Sequence, residues 1–274
     1  MNQTSAWLLV LPFVFLAAAC RFPEPNKPRW DHLVVVLLEN HSADEVRSLP
    51  YLSALRAAGR EFTASYGTAR PSQPNYLALF SGSTQGVTDD NSHDLNAANL
   101  ETRLTDAGLR LVSWAQSLPS RGFRGDAAPY VRKHNPAASF TNVSGDSIRP
   151  LTELPTDFSQ LPEVSFLIPD LNHDMHDDTP ADSDSWLQSA LSGYVSWALA
   201  HQSLLVLTFD EPDTSAGVEV ATAPVLTIFV GQGVPPSTST QPINNYTVLK
   251  YILDGFGLAP LGLDASQPVL DDGR

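Results

Sequence analysis

Three apolar segments of this chain run directly into acidic or amide side chains. They are residues 33–38 before Glu39 and Asn40, residues 164–169 before Asp170, and residues 204–209 before Asp210 and Glu211. Apolar runs without alternation are typical of strands buried on both faces of a parallel sheet, whose carboxyl ends form the ligand crevice. Carboxylates that converge there repel one another unless a cation lies between them. The pattern therefore predicts an enzyme that holds a divalent metal ion at one edge of its sheet.

A serine lies where it could act with such an ion. Ser72 stands between Pro71 and Pro74, ahead of apolar residues that predict a helix ending at Gly82. It should lie at or just before the helix N-terminus, where free N–H groups and the helix dipole attract anions. A hydroxyl is a poor nucleophile unless a base or a metal activates it, and no histidine is close to Ser72 in sequence. The alternative is that Ser72 only caps the helix, just as Glu39 could begin a loop and Asp210 a turn.

The elements that would position these residues alternate between strands and helices. The chain of 274 residues is long enough for one domain with a sizeable core, predicted over residues 31–274. Alternation predicts an α/β fold with a largely parallel central sheet and helices on both faces. The best helix is predicted over residues 184–201, and residues 119–156 are expected to cross the edge of the sheet irregularly. A formal net charge of −14 argues against nucleic-acid binding and against electrostatic attachment to anionic lipid.

The first 30 residues carry targeting rather than folding signals. Residues 6–19 are apolar but too short to span a bilayer, and they fit a secretory signal peptide over residues 1–20. Residues 16–20 resemble a bacterial lipoprotein signal in which Cys20 is lipidated, and residues 21–30 read as a proline-rich tether. We therefore expect export, either to the periplasm or cell envelope or into the medium, with membrane attachment only through Cys20.

Five motifs occur in an order that resembles a known family. They are Leu-Glu-Asn-His-Ser at 38–42, Pro-Ser-Gln-Pro-Asn-Tyr-Leu-Ala-Leu-Phe-Ser-Gly at 71–82, Lys-His-Asn-Pro at 133–136, Ile-Pro-Asp-Leu-Asn-His-Asp-Met-His-Asp at 168–177, and Thr-Phe-Asp-Glu at 208–211. Together they resemble the bacterial acid phosphatase and phospholipase C phosphoesterase family of the alkaline phosphatase superfamily. The resemblance covers nearly the whole chain after the tether and implies an alkaline-phosphatase-like fold.

The resemblance also implies roles for individual residues. Ser72 would be the nucleophile that forms a phosphoserine, and Asn91 would bind a phosphoryl oxygen. The metal shell would consist of Glu39, Asn40, Ser72, Asp210 and Glu211. These are hard oxygen ligands, which suit a divalent cation whose identity the sequence leaves open.

Two histidine-containing segments are harder to interpret. Asp170 and His173 match loosely the ligands of a second metal in related phosphodiesterases, although the late histidine that usually accompanies them is missing. Asp174 and His176 could instead contact substrate or protonate the leaving group. The segment Lys133-His134-Asn135 is a candidate source of positive charge over the phosphate, or part of a solvated loop.

The sequence therefore predicts an exported, metal-dependent phosphoric ester hydrolase that cleaves phosphate monoesters through a phosphoserine. One alternative is a phospholipase C or phosphodiesterase of the same superfamily. Another is an exported lipoprotein that binds metal or phosphate without turnover.

Overall fold

A computed structural model describes residues 29–213 and 219–273. The predicted signal peptide, with Cys20, and residues 21–28 of the tether lie outside the described residues. Within the described ranges, none of the helices has the length and apolar character needed to cross a membrane.

Ten strands and seven α-helices make up the described fold. The strands are β1 (His32–Leu38), β2 (Arg60–Phe62), β3 (Ser65–Tyr66), β4 (Leu111–Ala115), β5 (Ile148–Pro150), β6 (Val164–Ile168), β7 (Ser203–Phe209), β8 (Thr227–Gly231), β9 (Ser237–Ser239) and β10 (Ile243–Asn244). The helices are α1 (Ala43–Val46), α2 (Pro50–Ala58), α3 (Ser72–Ser81), α4 (Leu100–Asp106), α5 (Pro136–Ser139), α6 (Pro180–Ala198) and α7 (Asn245–Gly255).

Eight of the strands form one sheet in the order β5-β4-β6-β1-β7-β8-β2-β9, while β3 and β10 pair separately. The pairs β1 with β6 and β1 with β7 are parallel, so the three strands that end in carboxylates are neighbours. The predicted, largely parallel sheet is confirmed. One strand differs from its neighbours, because β8 runs antiparallel to both β7 and β2.

Side chains on β1 alternate between two cores, one on each face of the sheet. Val35 and Leu37 pack in the cluster that contains residues of α3 and α7. Val34 and Val36 pack in the other cluster, with residues of α2 and α6. Burial on both faces explains why β1 has no polar alternation.

Some element boundaries differ from the predictions. Helix α6 begins at Pro180 rather than at residue 184, with Thr179 as its N-cap. The Asp184 carboxylate, which belongs to α6, accepts hydrogen bonds from the N–H groups of Tyr51 and Leu52 at 2.8 and 2.9 Å. A carboxylate from α6 therefore caps the N-terminus of α2, which joins two helices on the same face of the sheet.

Candidate active site

The ends of β1 and β7 bring the predicted polar residues together. Glu39 follows β1, and Asp210 and Glu211 follow β7, and all three are buried. The N–H of Asn40 donates to Oδ1 of Asp210 at 3.0 Å and links the two strand ends. Asn40 has a φ of 47°, a left-handed conformation that asparagine tolerates better than most residues.

Ser72 joins these carboxylates from the N-terminus of α3. It is the first residue of the helix, and its following Pro74 lies in the first turn, where a missing N–H costs no helical hydrogen bond. The Ser72 hydroxyl donates to Oε2 of Glu39 at 2.8 Å, and the side chain is almost fully buried. The base in contact with this serine is therefore a carboxylate rather than an imidazole.

The second oxygen of Glu39 contacts two aromatic side chains. The Tyr76 hydroxyl donates to Oε1 of Glu39 at 2.5 Å, and Nε2 of His134 lies 3.3 Å from the same oxygen. The His134 ring stacks on Tyr76 with 5.2 Å between centroids, and its Nδ1 lies 2.9 Å from Oδ2 of Asp174. Asp174, His134 and Glu39 thus form a buried polar chain beneath Ser72.

Burial dominates the electrostatics of these groups. It raises the pKa of Glu39 well above its usual range, with a further contribution from the negative charge of Asp210. It also raises the pKa of Asp210 and Asp174 to about 7 and that of Glu211 to about 8. Burial lowers the pKa of His134 well below its usual range, so that this imidazole is neutral near pH 7. The carboxylates therefore hold protons unless a cation compensates their charge.

The donor set fits a divalent cation. Oδ2 of Asp210 and Oε2 of Glu211 are buried and accept no hydrogen bond, which is costly unless a cation binds them. Within residues 29–213 and 219–273, no three His, Cys, Asp or Glu side chains already converge as metal ligands. The two orphaned oxygens of Asp210 and Glu211 mark where an ion would be bound.

An open cavity of about 240 Å³ lies over Ser72. Its walls are polar, and they include Asn40, Arg70, Asp90, Lys133, His176 and Glu211. A small anionic group would reach Ser72 through this opening.

The two histidines proposed as catalytic occupy different depths. His176 lines the cavity, and its ring centroid lies 6.0 Å from that of His134. His134 itself is buried beneath the site and neutral, so it does not supply the positive charge expected over the phosphate. Lys133 lines the cavity instead, with its Nζ 2.9 Å from Oδ2 of Asp90.

The structure does not bring Asn91 to Ser72. Asn91 is exposed, and its amide donates to Oδ2 of Asp89 at 2.8 Å. Its neighbour Asp90 faces the site and accepts from the N–H of Gln73 at 3.0 Å. Asp90, rather than Asn91, therefore lies at the N-terminus of α3.

Asp170 and His173 pair with each other, apart from the carboxylates around Ser72. Nδ1 of His173 lies 3.2 Å from Oδ1 of Asp170, and the other Asp170 oxygen accepts from Ser117 at 2.6 Å. Neither side chain contacts Glu39. Asp174 reaches the site in their place, and its carbonyl accepts from the N–H of Glu39 at 2.9 Å. Asp170 and His173 lie side by side, and a second metal at this pair stays a prediction.

The sequence did not point to Tyr76 or Arg70, and it suggested Asp174 only as a substrate contact or a proton donor to the leaving group. Tyr76 lies four residues after Ser72, so both side chains project from one face of α3, which was a usable signal. Asp174 meets His134 only through the tertiary fold, because 40 residues separate them.

Comparison with known proteins agrees with this geometry. A family model described as Phosphoesterase family matches residues 45–259. The chain is 35% identical to a phosphatidylinositol-3-phosphatase from Mycobacterium tuberculosis, over 98% of this chain and 89% of that protein. It is 28% identical to a phosphate-repressible acid phosphatase from Penicillium chrysogenum, over 85% of this chain and 60% of that longer protein.

Solved structures share the fold at low sequence identity. A protein in the alkaline phosphatase superfamily from Vibrio parahaemolyticus matches with a TM-score of 0.62 and 14% identity, over 88% of this chain and 71% of that one. The C-terminal periplasmic domain of EcEptC from Escherichia coli, solved in complex with Zn, matches with a TM-score of 0.56 and 9% identity, over 86% and 84% of the two chains. These matches confirm the predicted alkaline-phosphatase-like α/β fold.

Proposed function

Because this chain belongs to the Phosphoesterase family, we propose that it is an exported, metal-dependent phosphatase that cleaves phosphate monoesters through a phosphoserine at Ser72. Its phosphatase relatives confirm the coarser prediction of a phosphoric ester hydrolase. The observation that carries the finer proposal is the buried Ser72 hydroxyl, held at 2.8 Å by Glu39 at the bottom of an open polar cavity.

The chain's own residues can orient the reaction. Oε2 of Glu39 accepts the Ser72 hydrogen bond, which directs the free side of Oγ toward the cavity. Attack in line expels the leaving oxygen on the side opposite Ser72, toward the opening. His176 lines that opening, and histidine is the common general acid near neutral pH, so it is placed to protonate the leaving oxygen. Lys133 lines the same wall and is placed to bind a phosphoryl oxygen.

Glu39, Asn40, Ser72, Asp210 and Glu211 would hold the metal. When bound there, a divalent ion lowers the pKa of a serine hydroxyl and offsets the charge of a phosphoryl group. Support for this assignment comes from the orphaned oxygens of Asp210 and Glu211.

The preference for monoesters rests on the relatives' names. The phosphatidylinositol-3-phosphatase and the acid phosphatase both act on monoesters, and the cavity over Ser72 is open enough to admit leaving groups of different size. A phospholipase C or phosphodiesterase would instead prefer diesters in a substrate panel.

Export rests on the sequence of residues 1–20. Metabolic labelling with a radioactive fatty acid should label the wild type, whereas Cys20→Ala should stay unlabelled. Recovery of the wild type in the medium without label would instead indicate a signal that is cleaved without lipidation.

Hydrolysis of p-nitrophenyl phosphate tests the function. Wild type should turn it over, chelation should abolish turnover, and divalent metal should restore it. Ser72→Ala should lower turnover at least about a thousandfold, as loss of a nucleophile usually does. Bound metal without hydrolysis of any ester would instead identify a non-catalytic binding protein.

A further inference from the structure

We propose that Arg70 forms an anion subsite at the mouth of the cavity that selects leaving groups carrying a second negative charge. The inference rests on the proposed function, because it concerns how Arg70 binds the leaving group of the phosphate ester. It concerns the rim of the cavity rather than the residues that hold Ser72 and the metal.

The depths of Arg70 and Ser72 separate their roles. Both line the cavity, but the Arg70 side chain is 55% exposed, whereas Ser72 is 2% exposed. A phosphoryl group attacked by Ser72 lies at the bottom, and in-line displacement directs the leaving group outward. The guanidinium at the rim is therefore on the path of the leaving group.

Arg70 makes only a long ion pair within the part of the chain that the structure describes. Among the described residues its guanidinium has no hydrogen-bond partner, and its carboxylate neighbour is Oε2 of Glu211, at 3.8 Å. The other cation on the cavity wall, Lys133, is held at 2.9 Å by Asp90. If Glu211 held a metal, its charge would be compensated and Arg70 would keep its full positive charge for a substrate anion.

The backbone that leads into Arg70 is held by hydrogen bonds, so this side chain begins at a defined position on the rim. The buried Asn75 accepts from the N–H groups of Thr68 and Ala69 at 2.8 and 3.0 Å, and its amide donates to the carbonyl of Ala69 at 2.9 Å. Three hydrogen bonds thus anchor the segment that leads into Arg70. Arginine forms paired hydrogen bonds with carboxylate or phosphate, so a second anionic group of either kind would be recognised.

A matched pair of esters tests the subsite. Phenyl phosphate and 3-carboxyphenyl phosphate share the same transferred group, and the meta carboxylate barely changes the acidity of the phenol. Wild type should show a higher kcat/KM for the carboxylated ester, despite the acidic protein. Arg70→Met should lower that preference, the ratio of the two kcat/KM values, roughly tenfold, the usual effect of losing a charge-assisted hydrogen bond. Arg70→Lys should restore part of the preference, because it restores the charge.

Arg110→Met is the matched control. Arg110 is 66% exposed and lies 3.7 Å from a carboxylate oxygen of Glu163, so its surroundings resemble those of Arg70. It precedes β4 and therefore lies at the amino ends of the parallel strands, whereas the site lies at their carboxyl ends. This variant should behave as wild type on both esters.

Three results would overturn the subsite. An equal loss on both esters in Arg70→Met, with the preference unchanged, would mean that Arg70 acts on the phosphoryl group or on Glu211 and not on the leaving group. An unchanged preference without such a loss would mean that it binds no part of the substrate. A wild type that turns over neither ester would refute the proposed function and, with it, this subsite.

Discussion

Removal of the Tyr76 hydroxyl should weaken metal binding while leaving the fold intact. The phenol donates to Oε1 of Glu39 at 2.5 Å, and its ring stacks on His134. Tyr76→Phe keeps the ring and its packing, so it removes one hydrogen bond to a carboxylate and little else. Burial raises the pKa of Glu39 well above its usual range, so protons compete with a metal for this carboxylate more strongly than for an exposed one. Tyr76 stabilises the ionised carboxylate, the form that binds metal.

The magnitude follows from that hydrogen bond. A hydrogen bond to a charged acceptor contributes about 1.5–3 kcal/mol, which corresponds to a loss of about 10- to 100-fold in metal affinity. Residues that orient metal ligands typically show an effect of the same size. The loss should grow as the pH falls, because protons then compete more strongly for Glu39.

Calorimetric titration of chelated protein with the metal that restores activity would measure this loss at two pH values. Tyr194→Phe is the control, since it removes a buried hydroxyl that donates to the carbonyl of Leu204 at 2.9 Å, away from the site. It should lower thermal stability without changing metal affinity. Equal metal affinity in Tyr76→Phe and wild type at both pH values would refute the role assigned to Tyr76.

Two further predictions concern stability. Burial raises the pKa of Asp210 to about 7 and that of Glu211 to about 8, so between about pH 4 and 8 the folded metal-free protein binds more protons than the unfolded chain. The melting temperature of the metal-free protein should therefore fall as the pH rises through this window. It should fall less steeply in Asp210→Asn. A melting temperature that rises with pH in protein stripped of metal would contradict this. Asp184→Ala removes the carboxylate that caps α2, which should cost about 1–3 kcal/mol and lower the melting temperature by about 2–4 °C per kcal/mol, without changing kcat. An unchanged melting temperature would mean that solvent replaces this cap.

The sequence predicted the central strands and their polar ends because both signals are local. The apolar run 33–38 and the carboxylate that follows it lie side by side in the chain, and their arrangement depends only on the sheet being parallel. The antiparallel direction of β8 has no comparable local signal, because a buried strand looks the same in either direction.

The site could be predicted only in part, for the same reason. Asp170 follows β6, and β6 lies next to β1 in the sheet. The side chain of Asp170 nevertheless accepts a hydrogen bond from Ser117, on the loop after β4. Asp174, four residues later, contacts His134 in its place because the turn after β6 folds back toward β1. The spacing of Asp170 and Asp174 along the chain does not determine which of them points toward the site around Ser72.

In the proposed mechanism, Ser72 carries the phosphoryl group during turnover. Acid quenching of the metal-loaded enzyme early in a reaction with p-nitrophenyl phosphate, followed by peptide mass spectrometry, would test it directly. We expect a phosphorylated peptide that carries the modification on Ser72. This peptide should be absent in Ser72→Ala. Turnover with no phosphorylated peptide, or with the phosphoryl group on another residue, would contradict it.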